Sequence, residues 1–132
     1  MKWITRAHVH VDRVACPWLI NRFVDAQAER AQEENAIPFD ISGCELGHRD
    51  GHCSFVSILK KYNLKDPALL ALSEVVDAAD TGALEANPYA HGLEAIATGF
   101  SLLHPFDPDN LQAQFGVYDG LYAFFKLQKR SP

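Results

Sequence analysis

The stretch DPALLALSEVVDAADTG, residues 66–82, carries the signals for the beginning, the body and the end of one helix. Asp66 can cap the first turn, and Pro67 suits the first helical position because its missing amide donor is not needed there. Apolar residues then recur along one face of the helix: Leu69, Leu72, Val76 and Ala79. Gly82 should end the helix, since glycine readily takes the left-handed conformation that follows a last turn.

Two further helices are predicted downstream. The first runs from about Pro88 to Leu103, and HPFDPDN at residues 104–110 forms a turn that leads into the second. Large side chains in the last helix recur at alternating spacings of four and three: Leu111, Phe115, Tyr118, Tyr122 and Phe125. This spacing follows one face of a helix, so that face must be buried.

The chain begins with a segment that predicts a strand. Residues 3–11 alternate between two faces, so that His8 and His10 project side by side. A second short strand is predicted at residues 36–41, AIPFDI. Together these segments predict a single α+β domain over residues 1–132. It is predominantly α-helical, with short N-terminal strands and a bundle of about four to five helices.

Residues 12–23, DRVACPWLINRF, predict a helix that Asp12 can cap. Pro17 leaves two alternatives, because an interior proline removes an amide donor and collides with the carbonyl of Arg13. Either the helix kinks, or it starts at Pro17 with Cys16 as its N-cap. In the second case the Cys16 sulfur lies at the positive helix end, where a thiolate and a redox role are favoured. In the first case Cys16 is a small buried side chain.

Length, composition and charge exclude several classes of function. The chain has 132 residues, 48% of them hydrophobic, which is enough for one core. A formal charge of −5 without clustered Lys and Arg argues against a nucleic-acid partner. No apolar run reaches the roughly 18 residues of a membrane span, and the charged N-terminus does not resemble a signal peptide. Three cysteines without a CxxC pair suit a reducing compartment. We therefore expect a cytoplasmic protein with no membrane partner.

Metal-competent side chains concentrate in two segments. His8 and His10, as alternate strand residues about 6.6 Å apart, can converge on one ion. Residues 45–53, ELGHRDGHC, contain four further groups: Glu45, His48, His52 and Cys53. Glu45 and His48 have the i, i+3 spacing of carboxylate–histidine metal sites. The alternatives are a partly exposed strand histidine in the first segment and an ordinary polar loop in the second.

Two aspartates lie where a carboxylate is disfavoured. Asp77 and Asp80 are close to the end of their predicted helix, which already carries partial negative charge. A bound cation would offset the cost, and so would an arginine such as Arg13 or Arg22. Asp80 is therefore open to three interpretations, as a metal ligand, a salt-bridge partner or a cap of the following turn.

Asp119 lies at the margin of the buried face of the last helix, one turn from Phe115 and Tyr122. A carboxylate buried there requires a partner. It is a candidate metal ligand or a candidate acceptor for the second nitrogen of a ligating histidine, with the hydroxyl of Tyr118 nearby. The alternative is an exposed helix carboxylate.

Several unusual stretches follow one another along the chain: WITRAHVHVDRVACPWLINRF at residues 3–23, FDISGCELGH at 39–48 with CSF at 53–55, ADTG at 79–82, and VYDGLYAF at 117–124. Together they resemble the successive motifs of the ChrB-type chromate-resistance domain family, over nearly the whole chain. The family is associated with bacterial chromate resistance, and its longer members are described as chromate-responsive regulators or carry an additional N-terminal region. By this resemblance, the positions that match the family's motifs and are implied as site residues are His10, Asp12, Arg13, Glu45, His48, Cys53, Asp80 and Asp119.

Our leading hypothesis is a metal-dependent oxidoreductase or detoxification enzyme that acts on a small anion or on reactive oxygen species. His10, Glu45 and His48 coordinate iron, manganese or zinc, with Asp80 or Asp119 as further candidates, and two histidines with one carboxylate leave open positions. The candidate catalytic groups are Arg6, Arg13 or Arg22, which would attract an oxyanion such as chromate, together with Cys16 and Tyr118.

Two other functions fit the same residues. One is a non-catalytic module that senses chromate or a metal and reports to a partner. The other is a redox protein that uses Cys16 or Cys53 as its electron donor. A homo-oligomer is compatible with each of these functions.

Overall fold

The computed structural model describes residues 2–4, 11–25, 29–30, 37–38, 46–47 and 52–130. Its elements follow in this order: β1 (Lys2–Ile4), α1 (Val11–Leu19), a π-helical turn (Ile20–Val24), β2 (Glu29–Arg30), β3 (Ile37–Pro38), α2 (Ser54–Lys61), α3 (Pro67–Thr81), a 3-10 turn (Leu84–Ala86), α4 (Ala90–Leu103) and α5 (Asp107–Arg130). The described part is thus predominantly helical, with five α-helices, as the sequence predicted. None of its helices is long and apolar enough to cross a membrane.

Three very short strands pair in parallel in the order β2-β1-β3, with Trp3 opposite both Arg30 and Ile37. The long N-terminal strand predicted over residues 3–11 is not supported. Most of that segment lies outside the described residues, and its last residue, Val11, begins a helix. Val11 is fully buried because it opens the apolar stripe of α1, so its place in the alternating pattern was misleading.

Helix α1 runs through Pro17 instead of starting there. The proline removes an amide that would bond the carbonyl of Arg13, and the backbone then widens into the π-helical turn. At the end of that turn the N–H of Asp25 donates to the carbonyl of Ile20, five residues back, at 2.6 Å. The predicted start at Pro17 is therefore wrong, and Cys16 lies in the helix interior.

The three downstream helices follow the sequence signals closely. In α3, the carboxylate of Asp66 accepts a bond from the N–H of Ala68 at 2.9 Å, and Gly82 ends the helix with φ of 82°. Both predicted helix signals are confirmed. Helix α3 contacts every other α-helix, and its buried face forms the middle of the hydrophobic core.

The predicted buried face of α5 is confirmed, because Tyr118 and Phe125 are buried and the other members of the stripe pack against the core. The buried face is also wider than the apolar pattern indicated. Gln114 and Asn110 are buried one and two turns before Tyr118, respectively. Nε2 of Gln114 donates to Oδ1 of Asn110 at 2.6 Å, which satisfies these two atoms, whereas Oε1 of Gln114 is buried without a hydrogen-bond partner among the described residues.

Candidate functional site

Asp12 lies at the junction of α1, α2 and α3 and is 1% exposed. Its carboxylate accepts hydrogen bonds from the backbone N–H groups of Ser54 and Phe55, at 2.8 and 3.1 Å. These amides open α2, whose N-cap residue Cys53 supplies no side-chain cap. Asp12 therefore caps α2 from inside α1. The prediction that it caps its own helix is wrong, because α1 begins one residue earlier.

Asp77, on α3, holds the same end of α2 from the other side. Its Oδ1 accepts a bond from the N–H of Cys53 at 2.7 Å, and its Oδ2 lies 2.9 Å from Nδ1 of His52. Burial raises the pKa of Asp77, but the bonds from His52 and Cys53 outweigh it, so the pKa is lowered overall. An ionised carboxylate is also favoured at a helix N-terminus.

Asp80 lies about one turn after Asp77 in α3, and its carboxylate contacts the start of α1. Its Oδ1 accepts a bond from the N–H of Asp12 at 3.3 Å, an amide in the first turn that has no partner within the helix. The junction is therefore built from three carboxylates, two thiols and an imidazole. We call this set the acidic corner: Asp12, Cys16, His52, Cys53, Asp77 and Asp80.

Both thiols of the acidic corner are buried. Sγ of Cys16 donates to Oδ1 of Asp12 at 3.2 Å, in the interior of α1 and away from any positive helix end. Burial raises the pKa of Cys53 far above its usual range, and the nearby charges of Asp12, Asp77 and Asp80 raise it further. The Cys53 thiol is therefore neutral at physiological pH, which is unfavourable for a nucleophile or a direct electron donor.

Tyr118, on α5, packs against the start of α1 and is fully buried. Its hydroxyl donates to the carbonyl of Val11 at 3.3 Å. Burial raises the pKa of Tyr118 well above its usual value, and the nearby carboxylates of Asp12 and Asp80 contribute to the same shift. Three of the residues predicted from the sequence, Cys16, Asp80 and Tyr118, are thus brought together around α1.

Asp119 belongs to a different region. Its two carboxylate oxygens accept a fork from Nε and an Nη of Arg22, both at 3.1 Å, and Oδ1 also accepts from Nε1 of Trp18 at 2.8 Å. The Arg22 bonds hold the pKa of Asp119 below its usual range. The sequence had left open whether Arg22 pairs with Asp80. In the structure Arg22 pairs with Asp119 instead. We call this region the α1–α5 seam: Trp18, Arg22, Phe23, Asp119 and Tyr122.

Three of the predicted metal ligands lie outside the described residues: His10, Glu45 and His48. Among the residues that are described, no three His, Cys, Asp or Glu side chains are arranged to hold a metal ion. Arg13, one of the three arginines predicted as candidates to attract an anion, lies partly buried in α1. The predicted ligand set thus stays a prediction, while two of its carboxylates, Asp80 and Asp119, are placed in separate regions.

Sequence reasoning missed the capping role of Asp12 and the pairing of His52 with Asp77. A weak signal existed for the first, because Cys53, directly before that helix, is not among the residue types preferred at an N-cap. No local signal pointed to the second, since the two residues are 25 positions apart in the chain.

The model of the family described as ChrB, C-terminal domain matches residues 3–125. The chain belongs to this family. The resemblance seen in the sequence is thereby confirmed, and the matched range includes every residue of the acidic corner and of the α1–α5 seam. Protein ChrB of Cupriavidus metallidurans is 33% identical to this chain over 137 residues.

That alignment covers 98% of this chain but 42% of the relative, so the ChrB C-terminal domain described here spans less than half of the relative's length. No solved structure matches the chain.

Proposed function

We propose that this ChrB-family chain binds a transition metal ion and acts in chromate resistance. Its role is that of a metal-dependent oxidoreductase or detoxification enzyme for a small anion or reactive oxygen species. The ion is iron, manganese or zinc, held by His10, Glu45 and His48, a donor set that leaves positions open for substrate. Asp80 is the additional carboxylate, because both oxygens of Asp119 are already engaged in the α1–α5 seam.

The observation that carries the proposal is the convergence of the chain segments next to these ligands. Asp12, two residues after His10, bonds the first amides of α2 and donates its own N–H to Asp80. Gly47 lies between Glu45 and His48 in the chain, and its carbonyl accepts a bond from the hydroxyl of Ser57 on α2 at 2.6 Å.

Leu46, the neighbour of Glu45, is buried in the same core. The two ligand-bearing segments are therefore attached to one junction by short, direct contacts. A consecutive Cα–Cα step is about 3.8 Å, so one or two residues separate each fixed point from a proposed ligand.

The charge of the junction favours a cation over an anion. The side chains that meet there are three carboxylates, two thiols and an imidazole, and the carboxylates would repel a chromate dianion. Chromate or a similar oxyanion would instead be attracted by arginine, and Arg13 follows Asp12 directly in α1. The proposal thus assigns the cation to the carboxylate side of the junction and the anion to the arginine side.

The first test is elemental analysis of protein purified without chelator. We expect close to one transition metal ion per chain, and loss of that ion in His10→Ala and in His48→Ala. His91→Ala is the matched control, because His91 is an exposed histidine of α4 paired with Glu85. Full metal content in both site variants would refute the ligand set.

A second experiment separates an enzyme from a sensor. Metal-loaded protein is incubated with chromate, superoxide or peroxide, and both binding and consumption are followed. An enzyme consumes one of these in excess over protein, with loss of turnover in His48→Ala. Saturable binding without consumption would establish the non-catalytic module instead.

A further inference from the structure

His52 and Asp77 form a pair that the proposed ligand set does not include. Nδ1 of His52 lies 2.9 Å from Oδ2 of Asp77, and Oδ1 of the same carboxylate accepts the N–H of Cys53 at 2.7 Å. Asp77 is therefore held through both oxygens, and it fixes the imidazole through one ring nitrogen.

A second histidine–carboxylate pair in the chain shows what is distinctive here. Nε2 of His91 lies 2.8 Å from Glu85, but those side chains are 60% and 94% exposed. His52 and Asp77 are 50% and 22% exposed. An exposed pair of flexible side chains contributes little and fixes neither partner. Asp77 is instead partly buried and tied to the start of α2, so it can hold the His52 ring in one orientation while half of that side chain stays accessible.

This orientation suits metal binding. When a neutral imidazole donates its Nδ1–H to a carboxylate, the lone pair lies on Nε2, which is the atom presented to an ion. Histidines that bind metals nearly always have such an outer partner, which fixes the tautomer and makes the ring a stronger ligand. The Asp77 carboxylate meets that requirement, and the 50% exposure of the His52 side chain is compatible with an incoming ion.

We propose that His52 binds the metal ion through Nε2, with Asp77 as its positioning residue. This inference rests on the proposed function, since it adds a ligand to the set formed by His10, Glu45 and His48. His52 is four residues after His48, and its neighbour Cys53 is the N-cap of α2, so the ligand is attached to the same junction.

The test measures the affinity of the purified chain for Zn²⁺ by competition with a coloured chelator, in wild type and in three variants. His52→Gly should weaken Zn²⁺ binding by at least about 100-fold. Asp77→Asn should weaken it by about 10- to 100-fold, the usual effect of losing an outer partner. His91→Gly, the matched control, should bind as wild type does.

Two readouts separate a ligand from a residue that only stabilises the fold. Added imidazole should restore Zn²⁺ binding to His52→Gly and not to His48→Ala. The visible absorption of the Co²⁺-loaded protein should shift in His52→Gly and return with imidazole. Far-UV circular dichroism checks that each variant is folded, and His52→Gly remains informative if Asp77→Asn unfolds.

The outcomes distinguish failure of His52 as a ligand from failure of the proposed metal-binding function. If wild type binds Zn²⁺ and His52→Gly binds it within twofold, His52 is not a ligand and the proposed function stands. If wild type binds none of Zn²⁺, Mn²⁺ and Fe²⁺, both proposals fall together.

Discussion

The acidic corner and the α1–α5 seam both contain aspartates that resemble metal ligands in the sequence. The two regions provide these carboxylates with different hydrogen-bond donors. In the seam, Asp119 receives an arginine fork and an indole N–H. In the acidic corner, Asp77 receives a backbone amide and a histidine. The seam contains its own cation, so its carboxylate is part of a structural ion pair.

The contrast shows why residue type alone does not identify a ligand. Asp119 and Asp77 both have lowered pKa values. Arg22 is the main cause for Asp119, whereas at Asp77 burial opposes the shift and the bonds from His52 and Cys53 overcome it. A permanent guanidinium fills the space that an ion would take, while an accessible imidazole can bind one.

The largest expected effect is on thiol reactivity in the acidic corner. Cys16 is buried in α1 and Cys53 is buried at the N-cap of α2, and such core positions open only with free energies that approach the global stability of about 5–15 kcal/mol. In a Cys44→Ser background, both should react with a disulfide reagent at least about 10³-fold more slowly in native buffer than in urea. Reaction of either thiol within tenfold of its unfolded rate would show that the corner opens readily, and would revive the redox-thiol hypothesis.

The sequence predicted those parts of the fold that depend on neighbours in the chain. The limits of α3 were predicted because Asp66 and Gly82 act within a turn of their own positions. The apolar face of α5 was predicted because one helix period is enough to detect it. The π-helical turn was not, since widening the backbone after Pro17 is one of several ways to accommodate a proline.

The acidic corner depends on contacts across long stretches of chain, and that limited its prediction. The bond between Asp12 and Ser54 joins residues 42 positions apart, and the one between Asp12 and Asp80 spans 68. Sequence reasoning selected Cys16, Asp80 and Tyr118 separately but could not bring them together. The ligand set of His10, Glu45 and His48 stays a prediction.

The next largest effect is expected from Asp12→Asn. The amide replaces one acceptor oxygen with an NH₂ group that faces backbone N–H donors, and the buried start of α2 loses its cap. We expect the free energy of unfolding in urea to fall by about 3 kcal/mol. Asp109→Asn, on the exposed side of α5, is the control and should change stability by about 0.5 kcal/mol or less. A similarly small change in Asp12→Asn would remove Asp12 from the centre of the corner.

Tyr118→Phe tests the link between the two regions, because this ring contacts Trp18 and its hydroxyl bonds Val11. At pH 7 we expect a loss of about 1 kcal/mol, the usual contribution of one buried hydrogen bond.

The pKa of Tyr118 is raised in the fold, so its contribution to stability is present below the unfolded pKa of about 10 and is lost above it. Wild type should therefore lose stability more steeply than Tyr118→Phe between about pH 9 and 11, as urea unfolding would measure. Parallel pH profiles would contradict the burial of an uncharged phenol. Tyr89→Phe, at an exposed ring, controls for loss of a hydroxyl at pH 7.

The smallest effect is expected in the seam, from Asp119→Asn. The amide oxygen can still accept from Trp18, so the substitution removes mainly the charge that faces Arg22. Because the Asp119 side chain is 48% exposed, solvent screens the pair, and we expect a loss of about 0.5 kcal/mol.

The pKa of Asp119 is lowered in the fold, so its stabilisation is present above the unfolded pKa of about 3.9 and is lost as the pH falls through its folded pKa. The difference between wild type and Asp119→Asn should therefore shrink as the pH falls below about 3.9 and vanish once the pH lies below the folded pKa, and it should also shrink in 1 M salt. A double-mutant cycle with Arg22→Gln isolates the pair. A coupling free energy above about 2 kcal/mol would mean that the seam holds its carboxylate as firmly as the corner does, and the distinction between an ion-paired and a metal-directed aspartate would then rest on His52 alone.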